Sequence, residues 1–145
     1  MHLRPVPRTA LIAAVFVAAF VTVPPASAQA QNCVTVEVHN VRPQQGHIMV
    51  AAYSDTEAFG KQAVVSMRIQ AGETITPLQL CGVTGSQVAL TLFQDLDNDG
   101  KMGRNLLGMP TEPWGSSGKP GTFGPSWETA KVVLDGTAIV VRLSQ

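Results

Sequence analysis

The sequence predicts an all-β fold, a seven-stranded antiparallel β-sandwich of the immunoglobulin-like type. Short runs of alternating apolar and polar residues recur along the chain, and turn-forming residues end each run. No segment after the N-terminal region has the apolar spacing of a convincing amphipathic helix. One long irregular segment, residues 95–126, separates the fifth run from the last two and holds more than half of the thirteen glycines. An irregular segment of this length in a compact domain either has a function or is held in place by something other than regular backbone hydrogen bonds.

The first 28 residues have the composition of a cleavable signal peptide. Two arginines precede an apolar run at residues 10–23, which ends at two prolines and an Ala-Ser-Ala pattern. This run is shorter than the about 20 residues of a membrane-spanning helix. Cleavage is expected after Ala28 or, as the alternative, after Ala30. We therefore expect a signal peptide at 1–28, a single domain at 29–145, a periplasmic or secreted location and no membrane span after cleavage.

The charge balance excludes some classes of partner. The whole chain has 10 basic and 10 acidic residues, and cleavage of the signal peptide removes two arginines. The exported protein is therefore mildly acidic and lacks the clustered lysines and arginines that bind nucleic acid or anionic lipid. We expect no nucleic-acid partner, and an envelope protein or glycan of unknown identity instead.

The two cysteines, Cys33 and Cys81, both lie after the signal peptide. Thiols oxidise outside the cytoplasm, so a disulfide between them is expected. The alternative is two separate buried thiols. A redox role is not indicated, because no Cys-x-x-Cys spacing is present to lower a thiol pKa.

Four strands are predicted in the first half of the domain. Valines alternate with polar residues at 34–38, which is the pattern of a strand with one buried face. A second run at 47–53 follows a turn-like Arg-Pro-Gln-Gln-Gly sequence, and the two runs suggest an antiparallel hairpin. The third and fourth strands are predicted at 64–69 and 73–80.

Three more strands are predicted around the long irregular segment. The fifth strand covers residues 87–93 and directly precedes that segment. The sixth and seventh cover 131–134 and 137–143. Asp135-Gly136 joins them and is well suited to a two-residue hairpin turn.

The acidic loop at residues 95–105 is the most informative part of the sequence. Asp95, Asp97 and Asp99 stand at alternate positions, and the glycine that follows can take the positive φ that turns the chain back. Carboxylates at alternate positions of a curling backbone can converge on one Ca²⁺ ion, and the backbone carbonyl of Lys101 adds another oxygen. The spacing predicts the first half of a calcium loop, with Ca²⁺ as the expected cofactor.

The second half of an EF-hand is missing from this loop. Leu106 stands where a bidentate glutamate would close it, and Gly103 stands at position nine. The remaining oxygens are expected from Asn105, Glu112 or water, with a weak affinity of about 10⁻⁴ to 10⁻³ M. The alternative is a solvated acidic turn, since Asp, Asn and Gly also favour tight turns. Mutual repulsion of three carboxylates without a cation favours metal binding.

A longer motif surrounds the acidic loop. It begins Phe-Gln-Asp-Leu-Asp-Asn-Asp-Gly-Lys, continues through Gly-Met-Pro-Thr-Glu and ends with Pro-Ser-Trp-Glu-Thr-Ala at residue 130. This motif resembles that of a bacterial exported family, domain of unknown function 2141 (DUF2141), and the resemblance covers most of the chain after the signal peptide. The matching residues are Asp95, Gly100, Lys101, Asn105, Gly108, Pro110, Glu112, Gly115, Ser117, Ser126 and Ala130.

The resemblance implies a transthyretin-like β-sandwich and no assigned enzymatic activity. Two positions depart from the family pattern. Gly103 stands where the family usually has Asp, and Gln94 stands where it usually has His. The first departure removes a potential metal ligand.

Histidines and aromatic residues give two further candidate sites. His39 and His47 flank the first predicted turn and could hold a soft metal such as copper, but two ligands make a poor site. Trp114, Phe123 and Trp127 could stack on a sugar ring or bind a peptide. The favoured interpretation is that these aromatic side chains bury themselves and hold the long segment against the sandwich.

An enzymatic site is less well supported. The serines of the long segment have no base nearby in sequence, because both histidines after the signal peptide lie on the first predicted hairpin. Glu112 and Asp95 could form a paired-carboxylate site. We therefore predict a non-enzymatic β-sandwich with a calcium loop and a binding or structural role at the cell envelope. The alternatives are a small periplasmic hydrolase that uses the loop carboxylates and a purely structural domain.

Overall fold

The fold is all-β, as predicted. The computed structural model describes residues 32–119, 121 and 124–144, so the predicted signal peptide, its cleavage sites and Phe123 lie outside the described residues. Within these ranges none of the helices is long and apolar enough to cross a membrane. The elements are β1 (Cys33–His39), β2 (His47–Tyr53), β3 (Val65–Gln70), β4 (Ile75–Cys81), β5 (Gln87–Asp95), β6 (Trp114–Ser116), α1 (Trp127–Ala130), β7 (Lys131–Val133) and β8 (Ile139–Arg142).

The strands form two sheets. The smaller sheet has the order β4-β1-β8, and the larger has the order β3-β2-β5-β6, with β7 also paired to β5. β5 is the longest strand and has partners on both edges. β2 pairs with it on one edge, while β7 pairs with its first three residues and β6 with residues 91–93. The acidic loop therefore begins at the end of the central strand of the larger sheet.

The predicted pairing of strands was wrong in three places. β1 and β2 lie in different sheets, as do β7 and β8, so neither pair forms a hairpin. β8 runs parallel to β1, so the fold is not purely antiparallel. Alternation of apolar residues identifies a strand and its buried face, but the partner depends on where the chain crosses between sheets. At the β7–β8 crossing, Asp135 Oδ1 accepts hydrogen bonds from the Thr137 N–H at 2.9 Å and its hydroxyl at 2.6 Å.

The predicted strand count of seven was one too low for the described residues. β6 is a three-residue strand, Trp-Gly-Ser, inside the segment that was expected to be irregular. Three residues are too few to show a period of two, and its central glycine contributes no side chain. β6 nevertheless returns the long segment to the edge of β5.

The core lies between the two sheets. Alternate side chains of β1 and β5 are almost fully buried and meet in one cluster with those of β2, β4 and β8. Burial of each such valine or leucine stabilises the fold by about 1.5–3 kcal/mol. The buried side chains from these strands are Val36, Val38, Ile48, Val50, Ala52, Leu78, Leu80, Val88, Leu90, Leu92, Ile139 and Val141.

The predicted disulfide is confirmed. Cys33 and Cys81 are directly opposite each other in the β1–β4 pair, and their sulfurs are bonded across a sequence separation of 48 residues. The bond joins the first residue of β1 to the last residue of β4. It therefore closes the chain around the whole first half of the domain.

We expect loss of the disulfide to destabilise the domain by up to roughly 4 kcal/mol, because a loop of this length gains much conformational entropy in the unfolded chain. Cys33→Ser/Cys81→Ser can be compared with the oxidised protein by chemical denaturation. Alkylation of the denatured, unreduced protein should find no free thiol. Two alkylated cysteines in that experiment would contradict the bond.

Candidate metal centre

The acidic loop starts where two chain segments come into very close contact. His47 pairs with Asp95 at the end of the β2–β5 ladder, and Gly46 directly precedes that pair. Gly46 has φ +62°, and a Cβ atom there would lie 1.9 Å from the carbonyl oxygen of Asp95. Only glycine fits at this position. The turn before β2 therefore holds the backbone at the start of the acidic loop.

Gln94 also holds the start of the acidic loop, from the opposite face of the larger sheet. Its side chain is completely buried and makes three hydrogen bonds to the turn between β1 and β2. Gln94 Oε1 accepts from the Arg42 N–H at 2.8 Å, and Nε2 donates to the carbonyl oxygens of Arg42 and Gln45, each at 2.7 Å. In the sequence, Gln94 stands out only as a departure from the family pattern. Its role needs a contact 52 residues away, which no local pattern reveals.

The three aspartates of the loop are brought together as predicted. Each of Asp95, Asp97 and Asp99 offers one carboxylate oxygen, and these oxygens lie within 4.8 Å of one another. In the described part of the chain this is the one group of His, Cys, Asp and Glu side chains with that geometry. A set of hard oxygen donors so closely spaced can hold a divalent cation.

The aspartates also shape the loop that carries them. Asp95 Oδ2 accepts from the Gly100 N–H at 3.0 Å, Asp97 Oδ1 from the Asp99 N–H at 3.2 Å, and Asp99 Oδ1 from the Lys101 N–H at 2.7 Å. Such bonds satisfy loop N–H groups that no strand partner reaches. The carboxylates are therefore held by the backbone and face one another.

Asp95 differs from its two neighbours in its burial. Asp97 and Asp99 are exposed, whereas Asp95 is completely buried. Its Oδ1 atom is buried and has no hydrogen-bond partner among the residues that the structure describes. A buried carboxylate oxygen with no partner is costly, and proteins normally pair such an oxygen or bind a metal with it. This atom is the strongest indication of a ligand at the loop.

The tip of the loop is anchored to the larger sheet. Asn98 takes a left-handed conformation with φ 64°, and its Oδ1 lies 2.5 Å from His47 Nδ1. When the imidazole carries its proton on Nδ1, it donates to this oxygen. His47 therefore positions the loop and does not stand among the grouped carboxylates.

Glu112 lies in the returning part of the long segment and closes the acidic loop. It is 8% exposed, and its two oxygens accept from different ends of the loop. Oε1 accepts from the Leu96 N–H at 2.7 Å and Oε2 from the Gly103 N–H at 2.9 Å. The sequence predicts Glu112 as a possible metal ligand. Each of its oxygens accepts a hydrogen bond from a backbone N–H of the loop, and Glu112 does not belong to the group of three aspartates.

Asn105, another predicted ligand, organises a separate turn. Its Oδ1 accepts from the N–H groups of Leu107 at 2.9 Å and Met109 at 3.0 Å. Gly103 packs against Thr111, since a Cβ at position 103 would lie 2.6 Å from the Thr111 hydroxyl oxygen. An aspartate at 103 would therefore displace Thr111. Of the predicted side-chain ligands, the structure groups the three aspartates and directs Asn105 and Glu112 elsewhere.

The two histidines do not form the soft-metal site that was considered. His39 lies on β1 of the smaller sheet and bonds Glu37, while His47 lies on β2 of the larger sheet. The aromatic residues of the long segment are partly explained by packing. Trp127 is buried beside Tyr53 and Ala89, whereas Trp114 is only half-buried.

Comparison with protein-family models identifies the chain. The model for an uncharacterized protein conserved in bacteria, DUF2141, matches residues 36–142. The chain belongs to the DUF2141 family. The resemblance inferred from the loop motif is thereby confirmed. No curated protein and no solved structure matches this DUF2141 chain. The grouped aspartates and Glu112 all lie within the matched residues of the DUF2141 domain.

We expect Glu112→Gln to destabilise the protein by about 1–3 kcal/mol, because an amide nitrogen would face one of the two half-buried N–H donors of Leu96 and Gly103. The measurement is chemical denaturation in the presence of a chelator, so that no metal contributes. Glu128→Gln is the matched control. Glu128 is 70% exposed in its pair with Lys131, so its loss should cost less than about 1 kcal/mol. Equal effects of the two substitutions would contradict the role assigned to Glu112.

Proposed function

We propose that this DUF2141 protein is exported, that its acidic loop binds Ca²⁺, and that it has a non-enzymatic binding or structural role at the cell envelope. The expected location is the periplasm or the extracellular space, and the expected partner is an envelope protein or glycan. We also propose that the two sheets form a transthyretin-like sandwich. The face-to-face core between a three-stranded and a five-stranded sheet supports this assignment.

The observation that carries the calcium proposal is the buried Asp95 carboxylate. One of its oxygens accepts a hydrogen bond from the loop backbone, and the other has no partner in the described part of the chain. Asp97 and Asp99 place two further carboxylate oxygens within 4.8 Å. A cation at this point would satisfy the buried oxygen and cancel the repulsion among three negative charges.

The donor set favours calcium over softer metals. The grouped donors are all carboxylate oxygens, which suit hard cations such as Ca²⁺, while copper and zinc prefer imidazole and thiolate. Asn105 and Glu112 use their side-chain oxygens elsewhere. Water would therefore complete the coordination, and the expected dissociation constant is about 10⁻⁴ to 10⁻³ M, as in extracellular calcium modules.

The non-enzymatic role is supported by the state of Glu112. A paired-carboxylate hydrolase needs a carboxyl group that is free to exchange a proton with substrate or water. Both oxygens of Glu112 accept hydrogen bonds from backbone N–H groups, and the residue is buried. Its geometry suits a structural link across the loop better than acid–base chemistry.

Export is supported by two independent features. The N-terminal sequence has the charged, apolar and small-residue regions of a signal peptide. The disulfide between Cys33 and Cys81 belongs to an oxidising compartment.

We expect millimolar Ca²⁺ to raise the melting temperature of the mature protein, because the ion binds the folded state. At a Ca²⁺ concentration ten times the dissociation constant, the free energy of unfolding increases by about 1.4 kcal/mol. This corresponds to a rise of several degrees in the melting temperature. Asp97→Asn keeps the hydrogen-bond acceptor for Asp99 and removes one charge. It should reduce the calcium-dependent rise, and Asp97→Ala should abolish it.

Asp135→Ala is the control for the calcium experiment. Asp135 is exposed and lies in the turn between β7 and β8, so its loss should leave the calcium-dependent rise intact. A melting curve that is the same in calcium and in chelator would refute the calcium loop.

We expect the protein produced in a bacterial host with its full N-terminal sequence to be recovered from the periplasm, starting at Gln29 or, as the alternative, Gln31. Signal peptidase cleaves after small residues such as Ala28 and Ala30. Intact-mass spectrometry of the periplasmic fraction measures the start point. An uncleaved chain confined to the cytoplasm would contradict export.

A further inference from the structure

The outer face of the larger sheet, which points away from the core, is unexpectedly apolar. In an antiparallel sheet with one buried face, the other face normally carries polar residues. Here the β-ladder aligns Arg68, Met49, Phe93 and Trp114 in one row across β3, β2, β5 and β6. The last three of these side chains are only half-buried. An apolar row of this kind indicates a binding surface.

Other parts of the chain cover the two ends of this face and leave its middle open. At one end, Trp127 and Ala130 pack on Tyr53 and Ala89. At the other end, the acidic loop lies against the sheet through the contact between Asn98 and His47. The row that contains Met49 and Phe93 lies between these two covered ends.

The long segment returns over the middle of the face and makes a groove. Two adjoining cavities, of about 490 and 640 Å³, share Thr91, Phe93, Met102 and Arg104. Met49 and Arg68 line the first cavity, while Met109 and Trp114 line the second. Both volumes lie within the range of about 300–1,000 Å³ that is typical of small-molecule sites. We call the space between the Met49–Phe93 row and the returning segment the outer groove.

The charged side chains that line the outer groove are all arginines. Arg68 and Arg104 are both exposed, and neither forms an ion pair within the described ranges. Arg104 Nη1 donates to the Gly108 carbonyl at 2.8 Å, which holds the guanidinium at the groove. Arg68 Nη2 lies 3.1 Å from His47 Nδ1, a nitrogen that accepts from Arg68 only in the tautomer that does not donate to Asn98. Two guanidinium groups beside an apolar surface complement a ligand with an apolar body and an anionic head.

We propose that the outer groove binds a monomeric amphipathic carboxylate, with its apolar chain along Met49, Phe93 and Trp114 and its head at Arg68 and Arg104. This assignment rests on the binding role proposed above but needs no calcium at the acidic loop. Met49, Met102 and Met109 supply flexible, polarisable walls. Such walls accommodate apolar chains of different shape, so the site recognises a class of compounds.

Isothermal titration calorimetry with decanoate below its micelle concentration tests the proposal. The mature protein, kept in chelator-containing buffer because Ca²⁺ would itself bind and precipitate decanoate, should bind decanoate saturably with one dominant site. Decanol and decylammonium, which have the same chain and a neutral or cationic head, should bind at least tenfold more weakly. The methyl NMR signals of Met49, Met102 and Met109 should shift with decanoate. This titration and the calcium melting experiment share no ligand, so either can fail without the other.

Charge-removing variants locate the head group. Arg104→Gln and Arg68→Gln should each weaken decanoate binding by roughly tenfold, the loss of one charge-assisted hydrogen bond at a solvent-accessible site. Arg42→Gln makes the same charge change at an exposed arginine outside the groove and should have no effect. Met102→Glu should abolish binding, because it places an anion in the wall that both cavities share.

Three results would overturn the proposal. Equal binding of decanoate and decanol would show that the arginines do not recognise the head. Equal weakening by Arg42→Gln and Arg104→Gln would show general charge attraction. Protein that co-sediments with anionic phospholipid vesicles but does not bind monomeric decanoate would assign the surface to a membrane instead.

Discussion

The carboxylate of Asp95 is completely buried at the end of the central strand of the larger sheet, and the surrounding chain is arranged around it. One oxygen holds the backbone of Gly100, so the chain must curl back within five residues. The other oxygen has no partner among the described residues. Burial of a carboxylate is expensive unless it is paired, bonded or bound to a metal. This one residue thereby joins the geometry of the loop to the case for a cation.

The loop around Asp95 is held at three points that lie far apart in sequence. Gly46 contacts the Asp95 carbonyl, Gln94 bonds the turn before β2, and Glu112 bridges the N–H groups of Leu96 and Gly103. None of these contacts uses an oxygen of the three grouped carboxylates. A loop backbone that is held by such contacts lowers the entropic cost of binding a cation.

The same closure determines the path of the chain after the acidic loop. Glu112 ties residue 103 to residue 96. Met102 and Arg104, the two neighbours of residue 103, line both cavities together with Phe93. The acidic loop and the outer groove are thus neighbouring consequences of one chain reversal, although the ligands proposed for them differ in chemistry.

The sequence by itself determined the all-β class, the buried faces of the longer strands, the disulfide and the grouping of the three aspartates. Each of these follows from local spacing, or from there being only two cysteines in a chain that is predicted to be exported. Tertiary structure alone decided which strands pair, the position of β6, the use of Glu112 and Asn105 as backbone acceptors, and the apolar outer face. The physical reason is that these features are contacts between distant segments. Glu112 is an acidic residue near an acidic loop in the sequence, and only the fold brings two N–H donors to its oxygens.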